Sequence, residues 1–186
     1  MILLIGLGNP TPNSQDNRHN IGFKIIDAIN KKFSLSKQKP KFKGLLTTGD
    51  ISNKKIYAIK PLTFMNNSAI CIRELIEYFR IDVEDVIVFH DDLDIDFGKI
   101  KAKLGGSSAG HNGIASIDKF IGKEYSRVRV GIGKPDSKIE VSDFVLTNFT
   151  DEEKVKLEKV IQNVIEFMPI LMDKKLDLFS STVNNK

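Results

Sequence analysis

The sequence predicts a single α/β domain built on a mixed β-sheet, and three patterns predict it. Apolar runs too short for helices, residues 2–5 and 86–89, stop at glycine or at a polar cluster, as buried central strands do. Between them apolar residues recur at helical spacing. Two further strand-like runs, 45–51 and 54–60, are joined by Ser52-Asn53, which reads as a tight antiparallel hairpin and makes the sheet mixed.

The elements follow in order. After the first strand, Gly6 and Gly8 permit sharp turning and Pro10 and Pro12 remove amide donors, so a polar loop runs to Asn20. A helix begins near Asn20 and buries Ile21, Ile25, Ala28, Ile29 and Phe33. Residues 34–43 are a Lys-rich connection containing Pro40. The hairpin follows, Pro61 stops it, and a loop at 63–68 leads into a helix with Ala69, Ile72, Leu75, Ile76 and Phe79 on one face. The strand at 86–89 ends at His90-Asp91-Asp92-Leu93-Asp94. Residues 99–104 alternate, with lysines to one side, and a glycine-rich loop at 105–113 precedes a short helix carrying Ile114, Ile117 and Ile121. Residues 127–133 form another alternating strand with Arg127 and Arg129 on one face; 141–146 is too short to type. Thr150 and Glu153 make a capping box, opening a helix through Val155, Leu157, Ile161, Val164 and Ile165 to Pro169. Residues from about 174 to 186 are polar enough to fray, although Leu176, Leu178 and Phe179 offer apolar surface for packing back. No repeat or linker divides residues 1–186.

Composition bounds the function. With 41% hydrophobic and 28% charged residues in 186, the balance is that of an ordinary globular domain. No apolar run approaches the roughly 20 residues that span a bilayer, and Met1 leads straight into strand residues with no basic leader. Cys71, the one cysteine, falls in a helical apolar pattern and reads as a small core residue. A cytoplasmic protein fits these features, and the net charge of +4 permits a polyanionic partner.

Several motifs fail on their parts. Gly6-Leu-Gly8 lacks the third glycine of a dinucleotide fingerprint, with Thr11 in its place. Asp92, Asp94 and Asp96 alternate as in a calcium loop, but Phe97 and Lys103 hold the glycine and glutamate positions. His90 with Asp91 has no second histidine at metal-ligand spacing. Gly106-Ser107-Ser108-Ala109-Gly110 matches Gly-x-Ser-x-Gly, so a serine hydrolase with Ser108 as nucleophile is the alternative reading, with His111 the one later histidine to serve it.

Other residues carry chemistry better. His19 stands beside Asn20 in a loop entering a helix N-terminus, and Asp91, just past a buried strand, is placed to orient a histidine from another loop. His90 follows four apolar residues and reads as a core side chain; His111 reads equally as a ligand contact or a loop hydrogen-bonder. Asn9, Asn66 and Asn112 adjoin helix starts. Singly they are caps or turn residues, but at one sheet edge they would supply donors suited to a peptide backbone or an oxyanion. Lys99, Lys101, Lys103, Arg127 and Arg129, on two alternating strands, form a candidate phosphate-binding patch.

Gly6-Leu-Gly-Asn-Pro10, Arg18-His-Asn20, Pro61-x-Thr-Phe-Met-Asn66, His90-Asp-Asp-Leu-Asp94, Lys103-Leu-Gly-Gly106, Gly110-His-Asn-Gly113 and Arg129-Val-Gly-Ile-Gly133 occur in the order and spacing of the bacterial-type peptidyl-tRNA hydrolases, which the chain resembles over residues 1 to about 150. The resemblance implies a three-layer α/β/α sandwich around a mixed, mostly parallel sheet, working as a monomer without metal or other cofactor. It implies cleavage of the ester between a peptide and tRNA, which recycles tRNA from abandoned translation. His19 then matches the base that activates water, and Asp91 the carboxylate that orients it. Asn9, Asn66 and Asn112 match amides that hold the peptide end, and Met65 lines the peptide groove. Asn20 matches a neighbour supporting the tRNA end or the Asp91 geometry, and His111 a substrate contact. Lys101, Lys103 and Arg129 match residues that grip tRNA phosphates. Three departures stand out: Thr11 and Ser14 replace a usual glycine and tyrosine, the loop 105–111 lacks its first histidine, and Asp92 replaces a common glutamate.

Overall fold

The computed structural model describes residues 1–186, and its centre is one seven-stranded sheet in the order β2-β3-β4-β1-β5-β7-β6. The strands are β1 (Ile2–Gly6), β2 (Lys39–Lys41), β3 (Gly44–Ile51), β4 (Lys54–Pro61), β5 (Val86–Asp92), β6 (Ile100–Leu104) and β7 (Ser126–Gly131). The four central strands β4, β1, β5 and β7 run parallel, and β2, β3 and β6 pair antiparallel at the two edges. The hairpin closes through Ser52 (φ 52°) and Asn53 (φ 61°), the left-handed pair of a two-residue turn matched to strand twist.

Side chains of β1 alternate between two cores. Ile2 and Leu4 face a cluster made with α1 (Ile21–Lys32), α5 (Asp151–Glu166), α6 (Met168–Met172) and α7 (Leu176–Asn184). Leu3 and Ile5 face a second cluster made with α2 (Ser68–Phe79) and α3 (Asn112–Ile121). The expected three-layer α/β/α sandwich is therefore the observed one. Cys71 is buried in the second core, and burial pushes its thiol up to about 12.

Three local expectations change, and one untyped segment takes a form. Lys39–Lys41 is a short strand, not a connection; at the sheet edge the missing amide of Pro40 costs no ladder bond. Residues Val141–Phe144 form a short helix, α4. Pro169 does not end a helix but sits in the first turn of α6, where its missing amide is tolerated. The C-terminal residues form α7, with Phe179 and Val183 buried. The polar residues that suggested fraying are the ones that dock it. Ser180 Oγ accepts from Ala102 N (2.8 Å), while Asn184 accepts from Ile100 N (2.9 Å) and donates to Ile100 O (2.8 Å). Side chains thus satisfy the open edge of β6.

Two glycines bring α1 down onto the sheet. A Cβ on Gly22 would lie 2.3 Å from Leu7 N and 2.4 Å from Phe89 O, and one on Gly6 would lie 2.2 Å from Gly22 O. No other residue permits that approach, which sets the start of α1 over the ends of β1 and β5. Gly22→Ala is expected to destabilise the protein by about 1–3 kcal/mol through overpacking and to cut activity beyond what the lost stability explains; urea melts and rate assays on the folded fraction check both.

Candidate active site

The loop from β1 returns to the sheet in a single 3-10 turn, Arg18–Asn20, and His19 in that turn reaches the end of β5. Its Nδ1 lies 2.9 Å from both carboxylate oxygens of Asp91. Asp91 is 2% exposed. Oδ1 of Asp91 also meets Nε2 of His111 at 2.9 Å. On its other side His111 Nδ1 accepts from Gly113 N (3.1 Å) and Ile114 N (3.3 Å), capping α3 with an imidazole.

These bonds assign both tautomers. His111 Nδ1 faces two N–H donors and must carry the lone pair, so Nε2 carries the proton given to Asp91. His19 gives its Nδ1 proton to Asp91, which leaves a lone pair on Nε2. Burial alone would raise the Asp91 carboxyl, but His111 and His19 override it and hold the group well below the usual carboxylate range. Ligand atoms of His19, Asp91 and His111 lie within 4.8 Å of one another. As a metal site this set is poor: Nε2 of His111 offers a lone pair only if Nδ1 takes the proton, against the two helix amides it now accepts from.

The amides converge beside this cluster. Asn9 N donates to Asn20 Oδ1 and Asn20 Nδ2 donates to Asn9 O, both at 2.9 Å. Asn20 is 2% exposed and spends both ends on this pair, so it fixes the Asn9 turn and does not support Asp91. Asn9 Oδ1 accepts from Met65 N (2.9 Å), which turns its amide nitrogen free. Met65 is buried, its sulfur 2.5 Å from where a Cβ on Gly113 would stand. A cleft of about 320 Å³ opens here, lined by Asn9, His19, Met65, Asn66, Asn112 and Val145 among others. His19, Asn112 and Val145 also border a smaller hollow of about 100 Å³ with Asp91, Ser108 and His111. His19 stands at the boundary of the two. Phe64, exposed on the cleft rim, holds φ at 60°, a conformation that costs of the order of 1–3 kcal/mol outside glycine.

Comparison with known proteins now decides the family. Residues 3–186 match the family model described as peptidyl-tRNA hydrolase. The chain belongs to the peptidyl-tRNA hydrolase family. It is 74% identical over 186 residues to the peptidyl-tRNA hydrolase of Pelagibacter ubique, with 100% of both chains covered. It is 42% identical over 167 residues to that of Bacillus subtilis, covering 89% of each. The crystal structure of peptidyl-tRNA hydrolase from Acinetobacter baumannii superimposes with a TM-score of 0.92 at 31% identity, covering 99% of this chain and 94% of that one. As a member of this family the chain is a hydrolase acting on ester bonds.

The departures from the family's usual pattern have local accounts. Thr11 and Ser14 bond each other through their hydroxyls (2.5 Å), closing the turn where an aromatic is common. In the loop 105–111, Ala109 takes φ 47° and Ser108 O accepts from His111 N (2.9 Å). Asp92 accepts from Arg129 Nε (2.8 Å). The serine-hydrolase alternative loses the base it was given, since both nitrogens of His111 are engaged elsewhere.

The basic strands divide. Lys101 pairs across from Arg129, and Lys103 from Arg127, on one face of the β6–β7 ladder. Lys101 and Lys103 are exposed and Arg129 is half-buried against Asp92. Arg127 leaves the patch: it is 2% exposed and donates to Asp118 (2.7 Å) and to Ser107 O (2.9 Å). Arg18 had no expected role. It donates to Glu153 (2.8 Å) and Thr147 Oγ1 (3.0 Å) and stacks on Phe144, while Val145 O accepts from His19 N (2.8 Å). The segment 141–149 is thereby tied to the turn that holds His19. The capping box was a partial signal, since Glu153 Oε2 serves both Thr150 N and Arg18.

His90 is buried beside this cluster, and desolvation, with His111 adding to it, pushes its imidazole from the ordinary 6.5 down to about 3. The folded protein therefore binds fewer protons here than the unfolded chain between those values, and its stability is full above pH 6.5 and falls on acidification. The share from His90 is expected to reach about 1.4 kcal/mol per pH unit. Urea melts from pH 7 to 4 should show this slope, and His90→Asn should flatten it.

Proposed function

We propose that the chain hydrolyses peptidyl-tRNA by direct attack of water, with His19 as general base and Asp91 as its orienting partner. One observation carries the reading: His19 Nδ1 is bonded to both oxygens of a buried Asp91, so the free lone pair on Nε2 faces the cleft. Nε2 takes a proton from water as its oxygen attacks the ester carbonyl. The tetrahedral oxyanion is stabilised by the side-chain amides of Asn9, Asn66 and Asn112, which line the same cleft. Collapse expels the ribose oxygen, which recovers the proton from Nε2. An ester is reactive enough that a base and oxyanion donors suffice, and the His111 tautomer argues against a metal-bound water.

Lys101, Lys103 and Arg129 would hold tRNA phosphates, and Met65 would line the peptide path. The enzyme would act as a monomer, without metal or cofactor, in the cytoplasm where it recycles tRNA from abandoned translation.

Replacing His19 by Ala should lower peptide release from peptidyl-tRNA by about 10²–10⁴-fold with the fold intact by circular dichroism. Release by the wild type should be indifferent to a transition-metal chelator, and Ser108→Ala should leave the rate unchanged. Wild-type release from His19→Ala, or loss with chelator, sinks the mechanism. Lys103→Ala should weaken tRNA binding and reduce the slope of log affinity against log salt by about 1.

A further inference from the structure

His90 is used by nothing in that mechanism, yet it is 4% exposed and lies against the residues that are. Its position follows from where β1 leaves the sheet. Leu7 N donates to Phe89 O (3.1 Å), the last rung between β1 and β5. Two residues on, Asn9 N turns away to Asn20 Oδ1 instead of continuing the ladder. The carbonyl of Asp91, where the next rung would fall, is met by His90 Nδ1 at 2.8 Å. The imidazole thus completes a ladder that the Asn9 turn interrupts. The same ring packs edge-on against His111, centroids 5.0 Å apart at 75°, and His111 in turn lies 4.7 Å from the ring of His19.

We infer that His90 is a positioning residue for the hydrolysis: its Nδ1–H holds the main chain of Asp91, and its ring backs His111, so that the carboxylate meets His19 in register. The bond to Asp91 O makes Nδ1 the protonated nitrogen. Nε2 is then an acceptor, and it has no partner in the protein, an arrangement costing stability that a core leucine would avoid. Because Nδ1 and not Nε2 makes the contact, the two carboxamide residues should behave differently. Asparagine carries its amide nitrogen near the place of Nδ1, glutamine near that of Nε2.

The inference rests on His19 and Asp91 acting as proposed, and the test separates the two. His90→Phe, His90→Asn and His90→Gln are assayed for peptide release beside His19→Gln, and the His19 imidazole nitrogens are followed by NMR in each folded variant. His90→Phe should lower kcat at least about tenfold with KM unchanged, misplacement of the order of 1 Å being worth about 10²-fold. The His19 Nδ1–H signal should shift or broaden. His90→Asn should recover most of kcat and of the signal, and His90→Gln should not. If His90→Phe does not fold, the Asn-against-Gln comparison decides alone. Equal rates for Asn and Gln, a loss carried by KM, or an unmoved His19 signal overturns the role of His90. An active His19→Gln overturns the mechanism beneath it instead.

Discussion

One buried carboxylate organises this molecule's working end. Asp91 stands where three separate parts of the chain meet: the turn before α1, the strand β5 and the loop that opens α3. It is removed from water yet accepts from two imidazoles, and those bonds repay the desolvation that an isolated carboxylate could not survive there. The pairing also divides labour between two similar side chains. His111 is committed at both nitrogens, one to Asp91 and one to helix amides, whereas His19 is committed at one. Further bonds shape the neighbouring wall, since Asn20 clamps the main chain of Asn9 while Met65 N takes its Oδ1 and leaves the Asn9 amide nitrogen for the cleft.

The scaffold supplies reach more than chemistry. Four parallel strands end together, and the loops beyond their carboxyl ends carry the reactive groups, as open α/β sheets generally arrange. Closeness then depends on absent side chains: Gly6 and Gly22 let the helix seat itself on the strand ends, and Gly113 makes room for Met65. Arg18 and Glu153 add a fastening between the turn before α1 and the first turn of α5.

Much of this was legible in the residues. Strand runs, helical periodicity and the Ser52-Asn53 turn are local signals, and most fell within a residue or two of the elements; β5 runs three residues past its apolar run, to Asp92, and α5 stops at Glu166. His19 and Asp91 were legible because each ends a strongly typed segment at a sheet edge. What escaped was pairing at long range. Periodicity put Arg127 on the face of Lys103, but its bonds to Asp118, nine residues upstream, and to Ser107 O make it a buried residue. His111 stayed ambiguous because a cap and a carboxylate ligand leave the same trace in a loop. For Asn20 no local signal announced its bonds to the main chain of Asn9, eleven residues upstream. The C-terminal polar run looked loose because Ser180 and Asn184 have their acceptors and donors on a strand some eighty residues earlier.

That last contact also decides what the edge can and cannot offer. The strand bearing Lys101 and Lys103 has its outer main-chain groups at Ile100 and Ala102 taken up by side chains of α7. The two lysines thus present charge on a strand that is no template for a further strand to pair with.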